Sequence, residues 1–164
     1  MKIRLAHKKD IKKIAKIYSD ARAFMQSSGN KNQWINGYPD ISLIEEDIEN
    51  DRLYLLEDGT DILAVFVYFF GEDATYKKIY EGKWLNDKKY GVIHRIAVAE
   101  NAHGKGVSAI CFDFAFKKCA NLKIDTHKDN IPMQKALLKF GFKYCGIIYL
   151  ENGSDRLAYQ KAEN

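Results

Sequence analysis

The chain has 164 residues, 46% of them hydrophobic and 29% charged, which is the size and balance of one globular domain spanning residues 1–164. Its 26 basic residues interleave with 22 acidic ones to a net charge of +4, which provides no basic block for nucleic-acid binding but suits a small polyanionic ligand. The longest apolar run, residues 62–70, is about half the length that spans a bilayer as a helix, and the N-terminus lacks the apolar stretch of a secretory signal, so we expect a cytoplasmic protein that does not act at a membrane.

Hydrophobic periodicity divides the first half of the chain into strands and helices. Alternation with a period of two marks strands, and apolar residues three or four positions apart mark helices. Asp10 precedes the first helical stripe, and the polar run Ser27-Ser28-Gly29-Asn30 stops it. In chain order, the predicted elements are a strand at 2–6, a helix at 11–26, a short helix at 41–48, and an antiparallel hairpin of 52–56 with 62–70.

A polar and aromatic insertion at residues 71–89 separates this hairpin from the second half. There, two helical stripes each follow a strand, and Gly141 ends the second helix. The predicted elements are a strand at 90–98, a helix from Val107, a strand at 122–126, a helix over 133–140, and strands at 142–150 and 156–161. This order implies a mixed α/β fold in which one central sheet carries helices on both faces.

A glycine loop joins the strand at 90–98 to the helix that follows it. Gly104 and Gly106 let the backbone approach a ligand closely, and the free amide groups and dipole of the helix N-terminus favour negative charge. Lys105 and His103 add side chains that can carry positive charge. The loop therefore predicts a phosphate site, although Gly-x-Gly before a helix also occurs in tight turns that bind nothing.

Two other phosphate-binding motifs compete for this loop. A Walker loop is excluded because Gly106 follows Lys105 where that motif needs Ser or Thr. The dinucleotide fingerprint G-x-G-x-x-G/A fits residues 104–109, and Asp125 lies about twenty residues further on. A dinucleotide loop turns almost at once from strand to helix, however, whereas residues 99–103 intervene here, and the chain leaves no room for a second nucleotide-binding half. A nucleotide-dependent oxidoreductase therefore ranks third, below the two hypotheses described next.

Four motifs in chain order resemble the GNAT superfamily of acetyl-CoA-dependent N-acetyltransferases, and the outlying aromatic segments resemble a bacterial branch of it. The motifs are the strand 94–98, the loop 101–107, Asn130, and the pair Gly141-Phe142. The resemblance implies a mostly antiparallel sheet, acetyl-CoA as co-substrate, and direct attack of an amine on the thioester in a ternary complex. It also implies cofactor contacts from Ile96, Ala97, Val98, Asn101, His103, Gly104, Lys105, Gly106, Val107, Ser108, Asn130 and Met133.

Two positions depart from the family pattern. Asn101 stands where the family usually has Gln or Arg, and Leu137 stands where many members carry a tyrosine that protonates the departing thiolate. Tyr144 is the first candidate to replace that acid and Cys145 the other, since both donate protons and only one of two adjacent strand residues can face the site. A thiolate also leaves without help, because thiol pKa values are about 8.5. A CoA-binding regulatory module that has lost turnover is the alternative hypothesis.

Direct attack requires a base, because an alkyl ammonium is mostly protonated at neutral pH. His94 is the first candidate, directly or through a water, and strand alternation predicts that it shares a face with Ile96 and Val98. His127 is the second, with Asp125 able to face the same side. Either imidazole would otherwise serve only as a hydrogen-bonding group within the sheet. The chain has no zinc-ligand spacing and three cysteines without a CxxC motif, so we expect neither a metal nor a disulfide.

Large aromatic residues gather in the two irregular segments of the chain and suggest an acceptor pocket. Trp34, Tyr38 and Trp84 are the predicted acceptor-binding residues, because aromatic faces hold cationic amines. The same rings would otherwise fill a secondary core beneath the insertion. The expected partner is a small-molecule or peptide amine, and a homodimer is one compatible assembly.

Overall fold

The computed structural model describes residues 1–163, which form a seven-stranded sheet flanked by four helices. The strands are β1 (Lys2–Leu5), β2 (Leu53–Asp58), β3 (Asp61–Phe70), β4 (Gly91–Val98), β5 (Asn121–Thr126), β6 (Lys143–Tyr149) and β7 (Asp155–Ala162). The helices are α1 (Ile11–Ser27), α2 (Ile41–Glu49), α3 (Val107–Lys118) and α4 (Ile131–Phe140).

The sheet is mixed, as the order of elements predicted. Its strand order is β1-β2-β3-β4-β5-β7-β6, and every neighbouring pair is antiparallel except β4 with β5. The last hairpin places β7 between β5 and β6, so β6 forms one edge and β1 the other. The mixed α/β class and the mostly antiparallel sheet are both confirmed.

The two faces of the sheet bury separate hydrophobic clusters. On one face, Phe66 of β3 packs with Phe112 of α3 and Leu137 of α4. On the other face, Val67 of β3 packs with Ile14 of α1. All five side chains are fully buried, and each burial of this kind stabilises the fold by about 1.5–3 kcal/mol. Successive residues of β3 thus anchor helices on opposite sides, as the two-residue period of a strand requires.

An ion-pair network fixes the start of α1 against the sheet. Asp10 accepts hydrogen bonds from Arg4 Nη1 at 2.8 Å and from the backbone N–H of His7 at 2.9 Å. Arg4 also donates to Glu57 of β2 at 2.7 Å. The hydrogen bond from Arg4 outweighs burial and lowers the pKa of Asp10, and Arg4 joins β1 to β2 and to the N-cap residue of α1.

Residues 71–90 form an insertion that packs against the β6 edge of the sheet. The backbones of Tyr80 and Ile147 exchange two hydrogen bonds of 2.8 Å. Gly82 lies so close to β6 that a Cβ there would overlap the carbonyl oxygen of Cys145. The insertion is therefore part of the packed structure, and it carries Asp73 to the sheet.

Candidate active site

The strands β4 and β5 diverge, and the gap between them opens a deep cleft. They pair only at Gly91 with Leu122 and at Val92 with Lys123. Beyond that point, the edge of β4 that faces β5 has no strand partner within residues 1–163. A cavity of about 1380 Å³ follows the gap and is lined by residues 93–98 of β4 and 124–126 of β5. Backbone groups left without a ladder partner are available to a ligand that passes through the sheet.

A β-bulge at Arg95 sets which side chains face each half of the cleft. From His94 to Ala97, β4 advances three residues while β3 advances two, and Arg95 adopts a left-handed φ of 48°. His94 and Ala97 therefore face the α1 and α2 side, whereas Ile96 and Val98 pack on the α3 and α4 side. The prediction that His94 shares a face with Ile96 and Val98 is wrong, because alternation holds only along an unbroken strand.

The glycine loop forms the α3 side of the cleft. Gly104 and Gly106 have φ values of 75° and 72°, and Gly106 is the N-cap residue of α3. Their backbone N–H groups donate to no acceptor among residues 1–163. A Cβ at either glycine would meet no atom within 4 Å, so the backbone conformation, rather than crowding, requires glycine. The ring of His103 contacts Val98 O at 3.0 Å and holds the loop to β4. Free amides at a helix N-terminus are groups that favour an anionic ligand.

Most of the predicted cofactor-binding residues line the cleft, and two do not. Asn101 and Lys105 are exposed outside the cavity. Asn130 is fixed at the start of α4, where its side chain accepts from the N–H of Met133 at 3.2 Å. Thr126 is fully buried at the cleft, and its hydroxyl has no hydrogen-bond partner in the described chain. The residues that do line the cavity are Ile96, Ala97, Val98, His103, Gly104, Gly106, Val107, Ser108, Asn130 and Met133.

On the opposite side of the cleft, His94 lies between two carboxylates. Its Nε2 is 2.6 Å from Asp73 Oδ2, and its Nδ1 is 3.9 Å from Asp125 Oδ1. Burial opposes the ionisation of Asp73, but hydrogen bonds from His94 and Thr75 outweigh it and lower the pKa to about 2. Burial and the neighbouring Asp125 raise the pKa of Tyr76 well above 10, so its phenol keeps the proton that it donates to Asp125 at 2.6 Å.

These partners determine which nitrogen of His94 carries the proton. An ionised carboxylate only accepts hydrogen bonds, so Asp73 requires a hydrogen on Nε2. The other nitrogen, Nδ1, is then the proton acceptor of the neutral ring. It faces the half of the cleft that Asp125 lines. The arrangement can take a proton at Nδ1 while Asp73 stabilises the resulting imidazolium.

Aromatic residues wall this half of the cleft. Trp34 and Tyr38 line the cavity, with ring centroids 6.3 Å apart. Arg95 donates to Asp47 of α2 at 2.7 and 3.0 Å and to the hydroxyl of Tyr38 at 3.2 Å. The charge of Arg95 is therefore neutralised by Asp47, and the ion pair fixes the position of the Tyr38 ring.

Known proteins similar to this chain identify its family. A model of the Acetyltransferase (GNAT) family matches residues 14–142. The chain belongs to the GNAT family. A GNAT acetyltransferase from Streptococcus agalactiae has 33% sequence identity to it, with 99% of this chain and 95% of that one covered and a TM-score of 0.91.

More distant acetyltransferase structures share the fold. A GNAT acetyltransferase from Listeria monocytogenes is 24% identical, with 98% of this chain and 93% of that one covered and a TM-score of 0.73. A ribosomal-protein-alanine N-acetyltransferase from Brucella melitensis is 18% identical, with 99% and 100% covered and a TM-score of 0.68. No curated protein sequence matches the chain significantly. The family makes the chain an acyltransferase, and the resemblance inferred from its motifs is confirmed.

Two residues predicted for catalysis in this GNAT protein lie outside the cavity. His127 is buried in the turn after β5, where its Nδ1 accepts from the N–H of Asp129 at 3.1 Å. Tyr144 is half exposed on the edge strand β6 and packs edge-on against Tyr159. The structure brings neither to the cleft, because β7 separates β6 from β5 and because the turn directs His127 into the protein.

Leu137 and Trp84 have structural roles. Leu137 is fully buried between α4 and the sheet and does not line the cavity. Trp84 donates its indole N–H to Tyr76 O at 2.9 Å and stacks near Lys123, whose Nζ lies 4.2 Å from the ring centroid. It also lies outside the cavity, so the prediction of an acceptor-binding role is wrong. The insertion packs Trp84, partly buried, against a third core that contains Tyr76.

Several side chains of the GNAT cleft were not among the predicted site residues, and three of them come from separate segments of the chain. Asp73 comes from the insertion, Gln33 from the segment between α1 and α2, and Arg156 from the last strand. Only Asp73 has a local signal, since an Asp two residues before Thr75 is typical of an Asx turn. Gln33 and Arg156 reach the cleft through tertiary packing alone.

The described residues provide neither a metal site nor a membrane-spanning helix. Across residues 1–163, no group of three His, Cys, Asp or Glu side chains is placed to hold a metal ion. Over the same range, the helices lack the length and apolar character needed to cross a membrane. All three cysteines are free thiols.

Proposed function

We propose that this GNAT acyltransferase moves an acetyl group from acetyl-CoA to an amine by direct attack in a ternary complex. The observation that carries the proposal is the gap between β4 and β5, because it joins the glycine loop on one side of the sheet to His94 on the other. One continuous cavity then contains an anion site and a proton acceptor. Acetyl transfer to a protonated amine needs both.

The α3 side of the cleft fits coenzyme A. The free N–H groups of Gly104 and Gly106 and the N-terminus of α3 would bind its pyrophosphate. The unpaired edge of β4 and the hydroxyl of Thr126 would bind the amide groups of its pantetheine arm. Acetyl-CoA would supply the acyl group as an activated thioester.

The opposite side of the cleft fits an amine. Asp125 attracts the ammonium, and Nδ1 of His94 accepts its proton, directly or through a water. Asp73 holds the Nε2 hydrogen and stabilises the imidazolium. Trp34 and Tyr38 supply apolar and cation-binding surfaces for the rest of the acceptor. These roles of His94, Trp34 and Tyr38 extend the predictions made from the sequence.

Protonation of the leaving thiolate is assigned to no side chain of the cleft. Leu137 and Tyr144 lie outside the cavity, and the phenol of Tyr76 is held by Asp125. A thiol with a pKa of about 8.5 is a tolerable leaving group near neutral pH. The proposed mechanism therefore relies on the base and on positioning.

Cofactor binding is tested by thermal unfolding. Acetyl-CoA at 100 times its Kd adds about 2.7 kcal/mol of stability, which raises the Tm of a protein of this size by about 5–10 °C. NAD⁺ and NADP⁺ at the same concentration leave the Tm unchanged. A shift with the dinucleotides but not with acetyl-CoA would contradict the proposal and favour the oxidoreductase hypothesis.

A turnover assay distinguishes the transferase from the alternative hypothesis, a CoA-binding module without activity. The position of Leu137, buried where a family tyrosine is usual, is the observation that favours the alternative. Release of free thiol from acetyl-CoA is measured across a panel of amines. Amine-dependent release supports the transferase, and binding of acetyl-CoA without release from any amine supports the regulatory module.

A further inference from the structure

A buried arginine faces the amine side of the cleft without a carboxylate of the described chain in direct contact. Arg156 of β7 is only 6% exposed, and it lines the cavity. Its guanidinium donates to two backbone carbonyls, Asp155 O at 2.8 Å and Gln33 O at 3.4 Å. Within residues 1–163, no carboxylate oxygen lies within 4.0 Å of it. The other arginine of the cleft, Arg95, is partly buried and is paired with Asp47 through two hydrogen bonds.

A buried guanidinium with only two carbonyl partners is costly. Taking a charge out of water costs several kcal/mol unless an opposite charge and further hydrogen bonds compensate. Arg156 has five N–H donors, so most of them remain for another partner. A ligand anion in the cleft would supply both the charge and the acceptors.

The register of the sheet places Arg156 beside the amine-binding carboxylate. Ala158 of β7 pairs with Asp125 of β5, and Arg156 lies two residues from Ala158 on the same side of its strand. Diagonal neighbours of this kind have Cβ atoms about 7 Å apart. Leu157, between them, points to the α3 and α4 cluster. Arg156 therefore lies on the acceptor side of the sheet, and the cofactor side is opposite.

Near Arg156, a second buried polar group of the cleft lacks a hydrogen-bond partner within the described part of the chain. Asn30 is 3% exposed, lines the cavity, and has a side-chain oxygen with no donor among the described residues. Its amide nitrogen donates to the side chain of Gln33, whose backbone carbonyl contacts Arg156. The segment between α1 and α2 thus presents an unused acceptor next to an unused cation. A ligand with both an N–H group and an anionic group complements them.

We infer that the acceptor is an amino carboxylate, in which Arg156 binds the carboxylate while Asp125 and His94 receive the amine. The inference rests on the proposed transfer to an amine and names the class of that amine. Arginine binds carboxylates through two parallel hydrogen bonds, which fixes orientation as well as charge. A doubly charged phosphate is disfavoured because Asp125 and Asp73 line the same half of the cleft. A polyamine leaves Arg156 unpaired.

The test compares α-amino acids with their carboxamides as acetyl acceptors. Each pair shares the amine and the side chain and differs in the carboxylate. We expect kcat/KM to be about ten- to a hundredfold higher for the acids, since a charge-assisted hydrogen-bond pair contributes about 1.5–3 kcal/mol. Carboxamides have less basic amines, which are more often neutral, so intrinsic reactivity acts against the expected preference. Equal or better rates with the carboxamides would overturn the inference.

Variants of Arg156 separate recognition from folding. Arg156→Gln should abolish the preference for acids, and Arg156→Lys should retain part of it. Arg52→Gln is the matched control, because it removes one positive charge from an exposed side chain outside the cleft. A merely structural role would lower the rates with acids and carboxamides alike and so contradict the inference. If Arg156→Gln does not fold, the comparison of acids with carboxamides on the wild type still decides.

Calorimetry with CoA-loaded protein distinguishes this inference from the proposed function. Binding of acids but not carboxamides, lost in Arg156→Gln, supports the carboxylate site even where no thiol is released. Thiol release with carboxamides and acids alike retains the transferase and removes the carboxylate site. The carboxylate site is also excluded if no acid in the panel binds in calorimetry and none is preferred over its carboxamide.

Discussion

His94 combines two properties that a general base needs, a fixed tautomer and an open nitrogen. Asp73 holds Nε2 at 2.6 Å, while Nδ1 faces the cavity 3.9 Å from Asp125. The sequence identified His94 from its position on the strand before the glycine loop, but its orientation depends on the bulge at Arg95. A positive φ at an arginine has no signature in the sequence, because it is enforced by packing.

Substitution of His94 should remove base catalysis and leave cofactor binding intact. We expect His94→Gln to lower kcat/KM by about 10²- to 10⁴-fold with little change in acetyl-CoA affinity. Asp73→Asn should have a smaller effect on kcat/KM. Nδ1 of His94 is still present, but the tautomer of the ring is no longer fixed. Steady-state kinetics and calorimetry measure both quantities.

The pH profile of the same variants provides the control. An imidazole acts as a base only when neutral, so the wild type loses kcat/KM on acidification, whereas kcat/KM of His94→Gln should follow the deprotonation of the amine itself, at higher pH. His7→Gln, at an exposed histidine away from the cleft, should match the wild type. An unchanged acidic limb in His94→Gln would assign the base to another group.

At the scale of elements, the cleft depends on how β4 ends and how α3 begins. The periodicity of the sequence located this strand, the loop and the helix within a residue or two. It could not indicate that β4 and β5 pair over only two positions, because strand divergence results from the bulge and from packing on both faces. The segment between Val98 and Gly104 is a 3₁₀ turn, which carries the chain from the strand to the helix N-terminus.

Alanine substitutions at two glycines with similar positive φ values distinguish an effect on stability from an effect on cofactor binding. Gly106 and Gly59 have φ values of 72° and 62°, and a Cβ at either meets no atom within 4 Å. Alanine at either position should cost about 1–2 kcal/mol, because left-handed backbone is unfavourable for residues with a Cβ. Only Gly106→Ala should also weaken acetyl-CoA binding, since it displaces the amides at the start of α3. Urea unfolding and calorimetry provide the comparison, and equal affinities in the two variants would exclude the loop as the anion site.

At the scale of the whole molecule, a buried histidine links folding to pH. Burial, followed by the charge of Arg156, lowers the pKa of His127, with Asp129, Asp155 and Lys128 as the other charges that act on it. The unfolded chain has an ordinary histidine pKa of about 6.5. Between that pH and the lower pKa of the folded state, the unfolded state binds more protons than the folded state. The free energy of unfolding therefore falls as the pH falls through this range.

His127→Asn should remove this part of the pH dependence. The amide can still accept the hydrogen bond from Asp129, but it does not titrate. We expect the loss of unfolding free energy between pH 7.5 and pH 5, measured by urea titration, to be smaller in the variant than in the wild type. A loss of equal size would mean that other groups account for the acid sensitivity. The depressed carboxyl pKa values of Asp10 and Asp73 act in a separate window below about pH 4.

The sequence by itself determined the elements, their order, and the glycine loop. These follow from local chemistry: the spacing of apolar residues, the turn at Asp58-Gly59-Thr60, and the left-handed conformation that Gly104, Gly106 and Gly141 adopt. The loop and the spacing of Asn130 from Gly141 were also enough to identify the family. The apolar stripe of its helix also places Leu137 on the side of α4 that packs in the core.

Only the tertiary structure decided which side chains meet at the cleft. Asp73, Asp125 and Arg156 come from three separate segments, and their proximity depends on strand order, a bulge and the docking of the insertion. The same packing placed Trp84 against a third core and left Tyr144 on the far edge of the sheet. Residues distant in the chain carry no local record of these contacts, because the free energy that brings them together belongs to the whole fold.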